Sequence, residues 1–270
     1  MPDMITSDGT RLSYEERGSG QPLLLIAGYT APSESWIFQT NDLVAAGHRV
    51  YVLDRRSHGR SDDTLYGQRM SRHGQDLLEF LTALHLTDVV IIGASMGAST
   101  MWASADLGQH PFVRGYVSVD QTPKMINEDA WGHGFYGLTA QNVGTFFAQG
   151  VPATGRGWTV EQTATRASRL LDAIGYSPPT REVNAPETRY LLRDHAIQDW
   201  RDVIARVNVP MLFIAGSDSE LWPSEHAYAA ASLSPFAQAS VIHGAGHATN
   251  VDKPLTFNGA VLDFVARLGG

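Results

Sequence analysis

The residue with the clearest chemical potential is Ser95, at the centre of the segment Gly-Ala-Ser-Met-Gly (93–97). An apolar run, 89–92, precedes this segment, and a helix-compatible stretch, 98–103, follows it. Small residues two positions on either side of a serine allow a strand and a helix to pack closely around a strained turn. Such a turn holds the hydroxyl near the positive end of a helix, with a backbone N–H ready to meet an oxyanion. The pattern predicts a nucleophile.

A serine hydroxyl is a weak nucleophile and needs a neighbouring base that a third group orients. The candidate base is His247, in a small-residue loop after the last predicted strand, and His243 is its nearby competitor. We favour His247 because His243 follows the strand directly and is expected to face the sheet. Two carboxylates at predicted strand ends, Asp120 and Asp218, could each accept a hydrogen bond from the imidazole. The residues by themselves leave both acids open.

Strands and helices must alternate along most of the chain to position these groups. The apolar patterns predict an opening hairpin over 4–16, strands over 22–27, 49–53, 89–92, 113–119, 209–215 and 239–242, and helices over 74–86, from 96, and over 257–268. This alternation predicts an α/β fold with a mostly parallel sheet flanked by helices. Functional groups in such sheets lie at the carboxyl ends of the strands, where Ser95, Asp120, Asp218 and the turn at Gly28 all fall.

Residues 122–200 interrupt this alternation. The segment is rich in Trp, Phe and Gly, with helical patterns over 142–147, 160–174 and 187–196 and no clear strand. Its length far exceeds that of an ordinary connection between strands. We therefore predict a helical cap over 122–200, inserted into a core made of 1–121 and 201–270, that lies over the serine.

Several segments together resemble the α/β-hydrolase family, and the resemblance spans nearly the whole chain. Residues 54–61, Asp-Arg-Arg-Ser-His-Gly-Arg-Ser, are similar to the family's Asp-x-Arg-Gly-His-Gly-x-Ser loop, with Ser57 in place of a glycine. Residues 28–29 resemble its oxyanion loop, although Ala27 stands where the family usually has histidine. Residues 246–247 resemble its closing histidine motif.

The resemblance implies roles for particular residues. The oxyanion hole is expected from the backbone N–H groups of Tyr29 and Met96. The family usually places its acid four residues before a proline after the seventh strand, but here that position is Ser219, and Asp218 is one residue out of register. The segment 119–125 resembles a subgroup whose acid follows the sixth strand, which includes lactonases of macrocyclic resorcylic lactones and cofactor-free quinolone dioxygenases. This favours Asp120 as the acid, with Asp218 as the alternative.

The expected function is hydrolysis of a carboxylic ester or lactone through a serine acyl-enzyme, which needs no metal or organic cofactor. The alternative is a cofactor-independent oxygenase or haloperoxidase-like enzyme on the same fold, in which His247 and Asp120 act as the base and Ser95 matters little. A non-catalytic ligand receptor is a third, disfavoured reading because every catalytic group is present. Dehalogenases and epoxide hydrolases need a carboxylate at the position of Ser95.

Composition limits the partners and the compartment. The 270-residue chain has a net charge of −8 and no basic cluster, which disfavours nucleic acid, and it has no cysteine, which excludes disulfides and thiolate chemistry. No apolar stretch approaches a membrane span, so a cytoplasmic protein without a membrane partner is expected. The aromatic insert suggests a small apolar or aromatic substrate, with four tryptophans as candidate pocket residues: Trp36, Trp131, Trp158 and Trp222.

Overall fold

The structure is a computed structural model that describes residues 1–108, 112–183 and 185–269. Residue 184, within the predicted cap, and residue 270, at the end of the predicted core, lie outside the described residues. The strands are β1 (Asp3–Ile5), β2 (Arg11–Gly18), β3 (Pro22–Ile26), β4 (Arg49–Leu53), β5 (Val89–Ala94), β6 (Val113–Val119), β7 (Met211–Gly216) and β8 (Ala237–Ile242). The helices are α1 (Ile37–Ala45), α2 (Met70–Ala83), α3 (Met96–Asp106), α4 (Val143–Phe146), α5 (Val160–Ile174), α6 (Arg189–Ala196), α7 (Arg201–Arg206), α8 (His226–Ala231), α9 (Thr249–Asp252) and α10 (Pro254–Leu268).

The eight strands form one sheet in the order β1-β2-β4-β3-β5-β6-β7-β8. The first two strands pair antiparallel, β2 pairs antiparallel with β4, and every later pair is parallel. The central strands are nearly continuous runs of Val, Ile and Leu because helices cover both of their faces. The predicted α/β architecture is therefore confirmed.

Each face of the sheet carries its own hydrophobic cluster. On one face, Phe80 of α2 and Trp102 of α3 pack with side chains of the central strands. On the other face, Trp36 is fully buried against Phe257 of α10, with ring centroids 6.1 Å apart. The two layers hold the central strands rigidly, and the carboxyl ends of those strands form one edge on which loops from the whole chain meet.

Element boundaries differ most from expectation at α2. The pattern predicted a helix over 74–86, whereas the helix begins at Met70 and ends at Ala83. Its first N–H, that of Met70, donates to the carboxylate of Asp194 at 2.7 Å. This capping group comes from a residue 124 positions later, so no local sequence signal could mark the start of the helix. The short helices α1, α7, α8 and α9 were also not predicted.

The segment 122–200 lies between β6 and β7. Its described residues contain α4, α5 and α6, together with isolated bridges such as Lys124 with Asp199. The capping box of α5 is complete, because the Thr159 hydroxyl accepts from the Gln162 N–H and the Gln162 side chain accepts from the Thr159 N–H. None of the helices within the described ranges combines the length and the apolar character that crossing a membrane requires.

Candidate active site

Ser95 lies in a sharp turn between β5 and α3. Its backbone has φ 51° and ψ −128°, a region that costs a non-glycine residue about 1–3 kcal/mol. The two flanking glycines make the turn possible. A Cβ on Gly93 would lie 2.6 Å from the Ala98 backbone, and one on Gly97 would lie 2.3 Å from the Ile26 carbonyl oxygen. The half-buried serine is thus held at the carboxyl edge of the sheet, at the N-terminus of an 11-residue helix.

Asp120 directly follows the neighbouring strand, β6, and is completely buried. Its N–H donates to the Ile214 carbonyl at 2.6 Å, which fixes it to β7. Its carboxylate accepts from the Gly216 N–H at 2.9 Å and from the Ser219 hydroxyl at 2.7 Å. Burial would raise the pKa of Asp120, but the imidazoles of His226 and His247 outweigh burial and hold that pKa well below its usual range. The carboxyl is therefore ionised at neutral pH.

His247 lies in the loop between β8 and α9 and faces Asp120. Its Nδ1 is 2.7 Å from Asp120 Oδ2, and its backbone N–H donates to Glu220 Oε2 at 2.6 Å. The Trp222 ring packs against the imidazole at 79°, with centroids 5.3 Å apart. Because Nδ1 must carry the proton to donate to an ionised carboxylate, the Nε2 lone pair is free to act as a base. Among the described residues, no hydrogen bond joins the Ser95 hydroxyl to His247, and such bonds often form only when substrate is bound.

The structure separates the two candidate acids. Asp218 is exposed, and its carboxylate accepts a hydrogen bond from its neighbour Ser217 at 3.2 Å. Asp120, in contrast, is bonded to His247. Ser219, which stands where the family usually has its acid, donates to that same Asp120 carboxylate. The serine thus helps to hold an acid that projects from the adjacent strand.

The histidine expected to face the sheet does not do so. His243 follows β8 directly but is exposed, so the reason for preferring His247 over it was wrong. The cause is the alternation of side chains along β8, in which Ile242 is buried and the next side chain points to the opposite side.

Sequence reasoning missed a second histidine beside Asp120. His226, the first residue of α8, is buried, and its Nε2 lies 3.6 Å from Asp120 Oδ1, longer than a hydrogen bond. The Trp222 ring packs against both histidines, with centroids 6.0 Å from the His226 ring and 5.3 Å from the His247 ring. No local pattern could have revealed this contact, because it depends on how α8 packs against β7.

The two residues predicted to supply the oxyanion donors, Met96 and Tyr29, belong to segments next to the serine. Met96 is the buried first residue of α3, and Tyr29 follows β3. Gly28 approaches Ser95 so closely that a Cβ on this glycine would lie 3.1 Å from the Ser95 Cβ and 3.6 Å from its hydroxyl oxygen. The Tyr29 hydroxyl donates to the Thr188 hydroxyl at 3.3 Å, which connects the loop to the 122–200 segment.

A charged cluster ties α5 to the loops of the site. Arg166 donates to Glu220 at 2.8 Å and to Asp252 at 2.7 Å, and its guanidinium lies 4.7 Å from the centroid of the Trp158 ring. Glu220 also accepts the N–H of His247, and Asp252 accepts that of Gly246 at 2.8 Å. One arginine of the insert thus contacts both carboxylates that hold the histidine loop.

The four tryptophans have different positions. Trp222 contacts His247 and lies 6.0 Å from the Phe135 ring of the insert. Trp36 belongs to the core, Trp131 packs beneath the Arg201 guanidinium and Trp158 beneath that of Arg166.

The fold and the site together define an enzyme of the α/β-hydrolase class. The sequence profile of the alpha/beta hydrolase fold matches residues 21–254, and the chain belongs to that family. It is 27% identical to a non-heme chloroperoxidase of Streptomyces lividans over 98% of this chain and 99% of that protein. The solved structure of a bromoperoxidase from Bacillus anthracis superposes with a TM-score of 0.81 at 23% identity, covering 98% of this chain and all of the other. An esterase from Exiguobacterium antarcticum superposes with a TM-score of 0.78 at 21% identity, covering 98% of both chains.

Proposed function

We propose that the protein hydrolyses a carboxylic ester or a lactone through an acyl-enzyme on Ser95. The observation that carries the proposal is the 2.7 Å contact between His247 Nδ1 and the ionised Asp120, on the sheet edge where Ser95 occupies a strained turn. Acyl transfer requires three groups: a buried carboxylate, an imidazole with a free Nε2, and a serine hydroxyl that a strained turn holds at the edge of the sheet.

In the proposed mechanism, His247 Nε2 takes the hydroxyl proton as Ser95 Oγ attacks the substrate carbonyl. The N–H groups of Met96 and Tyr29 donate to the oxyanion of the tetrahedral intermediate. His247 then protonates the leaving alkoxide, and water attacks the acyl-enzyme by the same steps in reverse. Asp120 keeps the imidazole in the Nδ1–H tautomer and stabilises the imidazolium.

The substrate we propose is small and apolar or aromatic. Trp222 packs on His247 and meets Phe135 of the insert, and Phe135 in turn packs on Phe146 and Phe147 at centroid distances of 5.5 and 5.3 Å. Aromatic side chains beside the base favour an apolar acyl or lactone group. On this proposal the segment 122–200 is a cap that supplies the substrate contacts.

The test is hydrolysis of p-nitrophenyl acetate, p-nitrophenyl butyrate and an aromatic lactone by the wild type and by Ser95→Ala. We expect loss of the nucleophile to lower kcat by about 10³-fold or more, because only binding and the oxyanion hole remain. The exchange removes one oxygen from a site that is already strained, so the fold is retained, which circular dichroism checks. Full esterase activity in Ser95→Ala would refute the proposal.

A second candidate, peroxide-dependent halide oxidation, is favoured by the similarity to the chloroperoxidase. Bromination of monochlorodimedone with hydrogen peroxide and bromide, by the wild type, Ser95→Ala and His247→Gln, separates the candidates. Halogenation that survives Ser95→Ala but is lost in His247→Gln would favour a haloperoxidase or oxygenase that uses the His247–Asp120 pair as its base. Halogenation that is lost with Ser95 would assign both reactions to the same nucleophile.

A further inference from the structure

Arg55 is a buried cation behind the predicted oxyanion loop. It follows β4 by two residues and is 3% exposed. Its Nη2 donates to the Gly28 carbonyl at 2.8 Å and contacts His58 Nε2 at 2.9 Å. Its Nε donates to the Ala27 carbonyl at 3.3 Å, and its Nη1 contacts His73 Nδ1 at 3.2 Å. Four of the five N–H groups of the guanidinium are therefore used, all by uncharged acceptors.

The two histidines act as neutral acceptors. His58 Nδ1 lies 2.8 Å from the Arg56 carbonyl oxygen and must donate to it, which leaves Nε2 to accept from Arg55. Burial, together with the Arg55 charge, lowers the pKa of both His58 and His73 well below the usual histidine range. Burial also lowers the pKa of Arg55 to about 9, so the guanidinium is still protonated at neutral pH.

The next residue provides an internal contrast. Arg56 is also fully buried, but its guanidinium bonds the carboxylate of Asp76, and Asp8 lies 2.9 Å away. Within the described ranges, Arg55 has no carboxylate at ion-pair distance. A buried arginine without an ion pair is costly to keep charged, and the nearby charge of Asp54 offsets only part of that cost.

The position of Arg55 indicates what it serves. The carbonyl of Gly28 and the N–H of Tyr29 belong to one planar trans peptide and point in opposite directions. Because Arg55 holds that carbonyl, the Tyr29 N–H is fixed on the side away from the guanidinium. Gly28 itself lies against the Ser95 side chain. A charged donor on the carbonyl also polarises the peptide and strengthens the N–H as a donor.

We propose that Arg55 is the positioning residue of the oxyanion hole, which orients and polarises the Gly28–Tyr29 peptide for the negative charge that forms beside Ser95. This inference rests on the proposed esterase function. It predicts that Arg55 contributes to binding of the tetrahedral state and little to binding of the ground-state substrate.

The test compares Arg55→Met and Arg55→Lys with Arg56→Lys, a matched exchange at the neighbouring buried arginine. The measurements are kcat and KM for p-nitrophenyl acetate and the dissociation constant of phenylboronic acid, which forms a tetrahedral adduct with a nucleophilic serine. Since removal of one oxyanion donor lowers kcat by about 10²–10³-fold, we expect Arg55→Met, which weakens such a donor indirectly, to lower kcat by about 10–100-fold. KM should stay within about threefold, and boronate binding should weaken by the same factor as kcat.

Arg56→Lys should leave kcat and boronate binding within about threefold of wild type, even where its melting temperature falls, because it touches no group of the site. If Arg55→Met does not fold, Arg55→Lys decides the question. A lysine ammonium cannot reproduce the planar set of N–H donors of the guanidinium, so we expect kcat to fall about tenfold in this variant. A folded Arg55 variant with unchanged kcat and boronate affinity would overturn this inference alone. A wild type without Ser95-dependent turnover and without boronate binding would overturn the proposed function and this inference together.

Discussion

The carboxyl edge of the sheet and the insert next to it are held in place by different forces. At the edge, backbone hydrogen bonds to adjacent strands anchor Ser95 and Asp120. The Ser95 N–H donates to the Val119 carbonyl at 2.8 Å, and the Asp120 N–H donates to the Ile214 carbonyl. In the insert, the 15-residue helix α5 has no buried residue and is held to the core through Arg166. Groups that perform chemistry need fixed positions, whereas groups that contact substrate must allow entry and exit. Under the proposed function, the edge would therefore determine reactivity and the insert selectivity.

At the edge, the largest effect on kcat is expected from replacing the carboxylate that orients His247. We expect Asp120→Asn to lower kcat by about 10²–10⁴-fold, because a neutral amide cannot stabilise the imidazolium and its N–H₂ group can donate to Nδ1 and so favour the wrong imidazole tautomer. Asp218→Asn is the matched control, and as an exposed exchange it should change kcat by about twofold at most. Steady-state kinetics with p-nitrophenyl acetate measures both variants. If Asp218→Asn had the larger effect, the acid would belong to the loop after β7 instead of to the end of β6.

The sequence predicted the edge better than the insert for a physical reason. The strands, the turn at Ser95 and the carboxylate at position 120 are encoded locally, by apolar runs and small residues. What it could not predict depends on contacts between distant residues. Asp194 caps α2 from the insert, and Ser219 and His226 reach Asp120 from elements that follow β7.

Two residue types could not be interpreted from the sequence alone. The positions of tryptophans in a sequence do not show whether each one lies in the core or lines a pocket. Trp36 is a core residue on the far face of the sheet. The role of Arg55 was also invisible, because residues 54–61 show two adjacent arginines whose surroundings differ only once the loop is folded. The Arg56 side chain contacts carboxylates and the Arg55 side chain contacts carbonyl groups, and no local sequence pattern distinguishes the two arginines.

The attachment of the insert can be weakened without changing a residue of the sheet itself. Arg166→Met removes the contacts of α5 with Glu220 and Asp252, so α5 should open more often while the sheet stays closed. We expect amide hydrogen exchange in α5 to accelerate about tenfold or more, one factor of ten for each 1.4 kcal/mol lost locally. Exchange in the central strands β5 and β6 should not change.

Arg169→Met is the control for that experiment. Arg169 lies on the same helix, is exposed, and packs over the Phe38 ring at 5.7 Å without an ion pair among the described residues. Its exchange should leave α5 protected. If hydrogen exchange accelerated equally in α5 and in the strands of Arg166→Met, the insert and the edge would unfold as one unit and would not be held in place by different forces.

The smallest predicted effect concerns the junction between the two regions. His195 of α6 is buried, and burial together with the Arg55 charge lowers its pKa to about 3. Between pH 6.5 and 3 the unfolded chain therefore binds a proton at this position that the folded protein does not. Stability contributed by the neutral imidazole is present above pH 6.5 and is lost as the pH falls, by about 1.4 kcal/mol per pH unit.

Urea unfolding of the wild type and of His195→Gln at pH 7.5, 6.5 and 5.5 measures this contribution. The wild-type curve also contains the opposite effect of Asp54, whose pKa burial raises to about 6, so the difference between the two proteins isolates His195. Between pH 7.5 and 5.5, we expect the free energy of unfolding to fall by about 1.4 kcal/mol less in the variant than in the wild type. Leu192→Ala, on the same helix, lowers stability without removing a titratable group and should keep the wild-type slope. A His195→Gln curve parallel to that of the wild type would show that folding does not lower the pKa of His195, and the junction with the insert would then be open to water instead of packed.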